Sequence, residues 1–255
     1  MIRPATLLVL ALAACTPAVT VAPAPAPAPP SAPAAAAQAG PALQPSSYLG
    51  SIHWWRNSAE QRAAFTQAYR WAGERLRELA SGQERGGWAV ILDADETTLD
   101  NSPYQPDRAR QNLGYSSESW AAWAHARSAP ATPGAAEFTR LVHELGGRVA
   151  IVTNRDDELC DDTRANLRQV GVAADVVLCR VQGQSDKNPR FAAVESGTGT
   201  GLPPLRVLMW VGDNIQDFPQ LSQSVREQPV PADFGRRYII LPNPMYGSWE
   251  RNPMQ

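Results

Sequence analysis

The run Val90-Ile91-Leu92-Asp93-Ala94-Asp95-Glu96-Thr97 is an apolar β-type segment that stops abruptly at two aspartates one residue apart. Residues of a strand alternate faces, so Asp93 and Asp95 would point the same way if the strand ran on. That end of a strand is where an open α/β sheet presents its ligands. Two close carboxylates repel each other unless a cation lies between them or one keeps its proton. Both remedies suit phosphoryl transfer, since a divalent metal offsets the first charge and a protonated second carboxyl is a ready general acid. The bland alternative is a pair of solvated turn aspartates.

Later runs end in complementary chemistry. Arg148-Val149-Ala150-Ile151-Val152 leads into Thr153-Asn154-Arg155, polar donors able to hydrogen-bond phosphoryl oxygens. Val207-Leu208-Met209-Trp210-Val211 closes with Gly212-Asp213 and reaches Asp217, so further carboxylates arrive at the same rim. Between them Lys187 stands just before Pro189, which reads as the first residue of a helix. Lys187 is the only lysine in a chain whose other cationic side chains are arginines. A compact ammonium with three donors, rather than a planar fork, is what such a choice supplies.

The remaining pattern alternates. Ser58-Ala59-Glu60-Gln61 fits a capping box, and Phe65, Ala68, Tyr69, Ala72, Leu76 and Leu79 recur at helical spacing until Gly82. Further helices are expected after Pro133 and over about 157–170, with Gly171 as the stop. Strands are expected near 88–93, 148–152, 175–179, 206–211 and 237–241. Right-handed crossovers would align them into a Rossmann-like, mostly parallel α/β sheet. The segment from about 99 to 132 interrupts the alternation and reads as a small, mainly helical inserted cap.

The ends carry their own signals. Residues 1–14 have the basic start and short apolar run of a secretory signal, too short to span a bilayer. Leu12-Ala13-Ala14-Cys15 resembles a bacterial lipobox, in which Cys15 becomes a lipidated N-terminus. Ordinary cleavage beside an incidental cysteine is the alternative. Residue Thr16 is not the aspartate linked to inner-membrane retention, so an outer-membrane address is expected. Residues 15–46, rich in Ala and Pro, read as a semi-extended tether ahead of a domain over 47–255.

Together these motifs resemble the haloacid dehalogenase-like phosphohydrolases with four catalytic aspartates. The likeness is closest to the class C nonspecific acid phosphatases, the family of outer-membrane lipoprotein 5′-nucleotidases. It rests on Ile91 through Tyr104, Thr153, Lys187 and Val207 through Phe218, and extends over roughly residues 47–250 through Trp54–Glu60 and Pro242–Glu250. Ala94 departs from the family, which usually has a larger apolar residue there; facing away from phosphate, it bears on packing rather than chemistry.

The resemblance implies an exported, magnesium-dependent phosphomonoesterase acting on small esters such as nucleoside 5′-monophosphates. Asp93 would be the nucleophile and Asp95 the general acid and base. Thr153, Asn154 and Lys187 would bind phosphate. Mg²⁺ would be held by Asp93, the main-chain carbonyl of Asp95 and Asp213, with Asp217 acting through a water or by orienting its neighbours. The inserted cap would cover the site and choose substrates.

Trp120 and Trp123 lie three apart on an expected short helix, and Tyr246 and Trp249 follow the last strand. They would either stack on an aryl leaving group or nucleobase, or simply fill the cap's own core. Cys160 and Cys179 are an even pair at one rim, to be read as a disulfide or as two buried thiols. Near-balanced charge, 23 basic against 25 acidic residues, gives no footprint for a nucleic-acid polymer. The scattered His53, His125 and His143 form no zinc or histidine-phosphatase signature. The competing class is a non-catalytic surface lipoprotein binding a planar ligand such as haem, which would have no use for the carboxylate and lysine constellation.

Overall fold

The computed structural model describes residues 45–181 and 183–254. The signal segment, Cys15 and the tether up to residue 44 lie outside the described residues. Two helices come first, α1 (Pro45–Asn57) and α2 (Ala59–Ala80). Helix α1 already includes residues 45 and 46, expected in the tether. Ser58 caps α2 by accepting from the Gln61 amide at 3.1 Å, and Phe65, Tyr69, Ala72 and Leu76 form its buried stripe.

Then follow β1 (Trp88–Leu92), α3 (Gln105–Arg110), α4 (Ser117–Ala126), α5 (Ala135–Glu144), β2 (Arg148–Asp156), α6 (Cys160–Gln169), β3 (Val176–Arg180), α7 (Asn188–Ser196), β4 (Arg206–Gly212) and β5 (Tyr238–Ile240). The five strands form one sheet in the order β3-β2-β1-β4-β5, every pairing parallel. Such a sheet must be covered on both faces, and β1 is buried along its whole length. Alternation divides its residues between two cores. Val90 and Leu92 pack with α2 and α5 through Phe65, Leu76, Phe138 and Val142. Ala89 and Ile91 pack on the opposite side with Phe191 of α7, Trp210 and Phe218.

Chain order reverses at β1, since β2 and β3 build to one side and β4 and β5 to the other. The crevice at the carboxyl ends of β1 and β4 is the place where such sheets bind ligands. The segment expected as a cap holds α3 and α4 and is pinched at its base, where Leu99 and Ala131 pair in an isolated antiparallel bridge. Two boundaries inside the domain differ most from expectation. Strand β2 runs on to Asp156, so Thr153, Asn154 and Arg155 are strand residues. The helix expected from residue 157 opens as a 3₁₀ turn, Asp157–Leu159, before α6 begins.

Cys160 and Cys179 are joined in a disulfide with Cα atoms 5.9 Å apart, tying the start of α6 to β3. Asp175 ties three elements more: it accepts from His143 of α5, from Arg148 and from the Val149 amide at 2.7 to 2.9 Å. Burial raises its carboxyl pKa, but these donors outweigh burial and bring it from 3.8 down to about 2. A depressed carboxyl adds stability that is fully present above the unfolded value and is lost as pH falls through the folded one. Asp175→Asn should therefore cost about 2 kcal/mol at neutral pH. In equilibrium denaturation the gap to wild type should close as pH drops from about 4 toward about 2.

Candidate active site

Asp93 is the first residue beyond β1 and extends the ladder, its amide donating to Val211 O at 3.0 Å. Its Oδ1 accepts from Lys187 Nζ at 2.6 Å. Lys187 is the residue immediately before α7, which begins with proline at its first turn, so helix geometry sets the origin of its side chain. The same ammonium donates to Asp217 Oδ1 at 2.6 Å, bridging two carboxylates while itself only 5% exposed. Asp217 closes a 3₁₀ turn after β4, and its Oδ2 accepts from the Asn214 amide at 2.8 Å. A side chain at Gly212 would run into the Asp217 carboxyl. Glycine is what allows β4 to end against that group.

Asp213 completes the cluster. Its two oxygens accept from Thr97 Oγ1 and Asn243 Nδ2, each at 2.9 Å. One carboxylate oxygen from each of Asp93, Asp213 and Asp217 lies within 4.8 Å of the others. Burial, followed by repulsion from Asp217, pushes the Asp213 carboxyl up to about 7 despite its two neutral donors. Asp93 is also raised well above the ordinary range, by burial and by Asp217, Asp213 and Asp95 against the pull of Lys187. Lys187 moves upward as well, because Asp217 and Asp93 together overcome the cost of burying it. In the fully ionised form that a cation would bind, three carboxylates and one ammonium leave two negative charges in excess. An oxygen-only donor set with that excess fits a hard divalent cation.

Asp95 lies outside this trio, with its side chain turned toward β2. Its Oδ1 accepts from Asn101 Nδ2 at 2.8 Å and from Arg155 Nε at 2.9 Å. Glu96 adopts a positive φ of 53°, and its buried carboxylate accepts from the Asn101 amide at 2.8 Å. Burial first, then Asp95 and Asp213, hold the Glu96 carboxyl well above the usual range. Ala94 faces away into the larger core, fully buried.

Strand alternation separates the three residues at the end of β2. Thr153 and Arg155 are buried, whereas Asn154 is exposed on the other face. Thr153 lies two residues beyond Ile151, which pairs with Leu92, and so sits at the same rim as Asp93. Asn154, expected as a phosphate donor, instead donates to Ser185 O at 3.0 Å and accepts from Arg190 at 2.6 Å. It braces the loop that delivers Lys187.

The aromatic residues also separate. Trp120 and Trp123 share α4, and Trp120 meets Tyr104 edge to face at 5.5 Å. Trp123 Nε1 donates to Asn101 Oδ1 at 2.9 Å. Tyr246 packs, half-buried, against the larger core. Sequence reasoning missed Asn101, Arg155, Thr97 and Asn243 as partners of the aspartates. Arg155 alone had a usable signal, because alternation carried past Val152 places it on the face of Thr153.

The family described as HAD superfamily, subfamily IIIB (acid phosphatase), matches residues 25–249. The class C acid phosphatase from Bacillus anthracis is similar in structure, with a TM-score of 0.69 and 29% identity over 80% of this chain and 87% of that one. The class C acid phosphatase from Bacillus anthracis with tungstate bound gives a TM-score of 0.70 at 29% identity, covering 82% and 90% of the two chains.

Proposed function

We infer the roles below for a chain that belongs to subfamily IIIB of the HAD superfamily, the acid phosphatases. As a phosphomonoesterase, it cleaves phosphate esters. Its finer assignment here is a magnesium-dependent enzyme of broad range, taking small esters and nucleoside 5′-monophosphates. The observation that carries this reading is the single ammonium of Lys187 held between Asp93 and Asp217, with Asp213 beside them.

Asp93 attacks phosphorus in line and forms an aspartyl-phosphate, splitting one difficult hydrolysis into two easier steps. Asp95 gives a proton to the departing alcohol, then takes one from the water that cleaves the acyl phosphate. Lys187 and the Thr153 hydroxyl neutralise phosphoryl oxygens as charge builds on them. Asp93, Asp213 and the main-chain carbonyl of Asp95 would hold Mg²⁺, with Asp217 orienting the set. When bound, the metal offsets anionic charge so that the phosphate can approach Asp93. The Bacillus anthracis enzyme has been seen with tungstate bound, and a tetrahedral oxyanion is what a phosphate seat accepts.

The setting completes the reading: signal segment 1–14, a lipid on Cys15, a tether to residue 46 and a catalytic domain over 47–255 with its cap at about 99–132, at the outer membrane. The Cys160–Cys179 bond is in keeping with an oxidising compartment. Phosphate release from p-nitrophenyl phosphate and from a nucleoside 5′-monophosphate tests the assignment. Chelation should abolish turnover, and Mg²⁺ should restore it; full activity in chelator would overturn the metal role.

A further inference from the structure

Outside the carboxylate cluster, Arg155 is a buried side chain engaged through all three of its guanidinium nitrogens. It is 2% exposed in a position that requires every donor to be used. Its Nε and Nη2 both meet Asp95 Oδ1, at 2.9 and 2.8 Å. Nη2 also donates to Asn101 Oδ1 at 3.0 Å and Nη1 to Thr163 Oγ1 at 3.3 Å. The guanidinium carbon lies 5.4 Å from the centroid of the Trp120 ring. Asn101 adds its own amide to Asp95 Oδ1, and Trp123 fixes Asn101 from the cap side. Every hydrogen bond that Asp95 makes through its side chain among the described residues therefore falls on one oxygen. The side chain remains 19% open.

We propose that Arg155 is the positioning residue for leaving-group protonation, clamping Asp95 through Oδ1 and leaving Oδ2 to the substrate, with Trp120 and Trp123 of the cap holding the clamp. An oxygen already facing three N–H donors has no room for a hydrogen, so the proton of the acid form resides on Oδ2. A carboxyl free to rotate would offer that proton in many directions. Proton transfer needs it within hydrogen-bond reach of one atom.

The bracket is continuous. Helix α4 carries both tryptophans and is tied to α6 by His125 and Arg127, which donate to Asp162 at 2.7 and 2.6 Å. Helix α6 in turn carries Thr163, the partner of Nη1. In the first step the Asp93–phosphorus bond forms, the ester P–O bond breaks and the Oδ2 proton passes to the departing oxygen. In the second, water oxygen attacks phosphorus, the Asp93–phosphorus link breaks and the water proton returns to Oδ2.

This inference rests on Asp95 as acid and base, and its test separates the two ideas by leaving group. A p-nitrophenolate departs without a proton, whereas an alkoxide does not. In Arg155→Lys, kcat/KM for β-glycerophosphate should fall about 10²-fold, while that for p-nitrophenyl phosphate falls less than about tenfold. Mixing with p-nitrophenyl phosphate should then give a burst of one nitrophenolate per enzyme followed by slow turnover, because the second step still needs the base. Trp123→Phe, which removes the indole N–H on Asn101 together with part of the ring but leaves Arg155 in place, should show the same selectivity at about fivefold and serves if Arg155→Lys does not fold. Equal loss on both substrates, or loss on neither, overturns the role of Arg155. Asp95→Asn is the reference: if it is selective and the Arg155 and Trp123 variants are not, Arg155 only supports the fold. If Asp95→Asn is itself unselective, the acid–base reading falls and takes this one with it.

Discussion

Asp93→Asn should lower kcat by roughly 10⁴-fold or more while the protein stays folded. An amide oxygen is a poor nucleophile, and no other carboxylate occupies the first position beyond β1. The change keeps the side chain's volume. It also leaves the Asp93 amide on Val211 O, and Lys187 keeps Asp217 as its partner. Removing one charge from a cluster whose carboxyls are already pushed upward relieves repulsion as well as deleting a salt bridge, so the net change in stability should be small. Phosphate release together with thermal denaturation checks both halves. Turnover near the wild-type rate would end the covalent assignment, and loss accompanied by unfolding would show that Asp93 is structural.

The sheet was legible because its strands are short apolar runs bounded by polar breaks, a pattern set by burial on both faces. The carboxylates were legible because they terminate those runs, and strand ends converge in a parallel sheet whatever the loops do. What supports the aspartates was not. Asn101 reaches Asp95 from six residues on through a turn strained at Glu96, and Asn243 reaches Asp213 from beyond the last strand. No periodicity encodes such contacts.

Asn154 and Arg155 show the finer limit. Taken as loop residues they look equivalent as phosphate donors, but once β2 is extended its two-residue period sends one to Arg190 and the other to Asp95. Spacing placed Trp120 and Trp123 on one helix. It said nothing of the indole N–H on Asn101, and so nothing of a link between cap and acid.

Lys187→Met should cost both activity and stability, and the two losses should respond differently to metal. In wild type the ammonium is buried between two carboxylates with 2.6 Å contacts to each. Deleting one partner of a buried ionic set typically costs about 3–5 kcal/mol, because the remaining charges keep their desolvation penalty without the attraction that offset it. For a domain of this size that is on the order of a 10 °C fall in melting temperature. In the ionised, cation-binding form the charge excess of the cluster rises from two to three, so a divalent cation gains attraction in the variant. Mg²⁺ should recover more of the melting temperature in Lys187→Met than it adds to wild type. Activity should not follow, since a metal on the carboxylates does not replace a donor to the phosphoryl oxygens; turnover should stay down by about 10²- to 10³-fold. Melting curves in chelator and in Mg²⁺, set beside turnover in saturating Mg²⁺, separate the two roles. If Mg²⁺ restored stability and turnover together, Lys187 would serve only as a counter-charge to Asp93 and Asp217, with no part in binding the transferring phosphate.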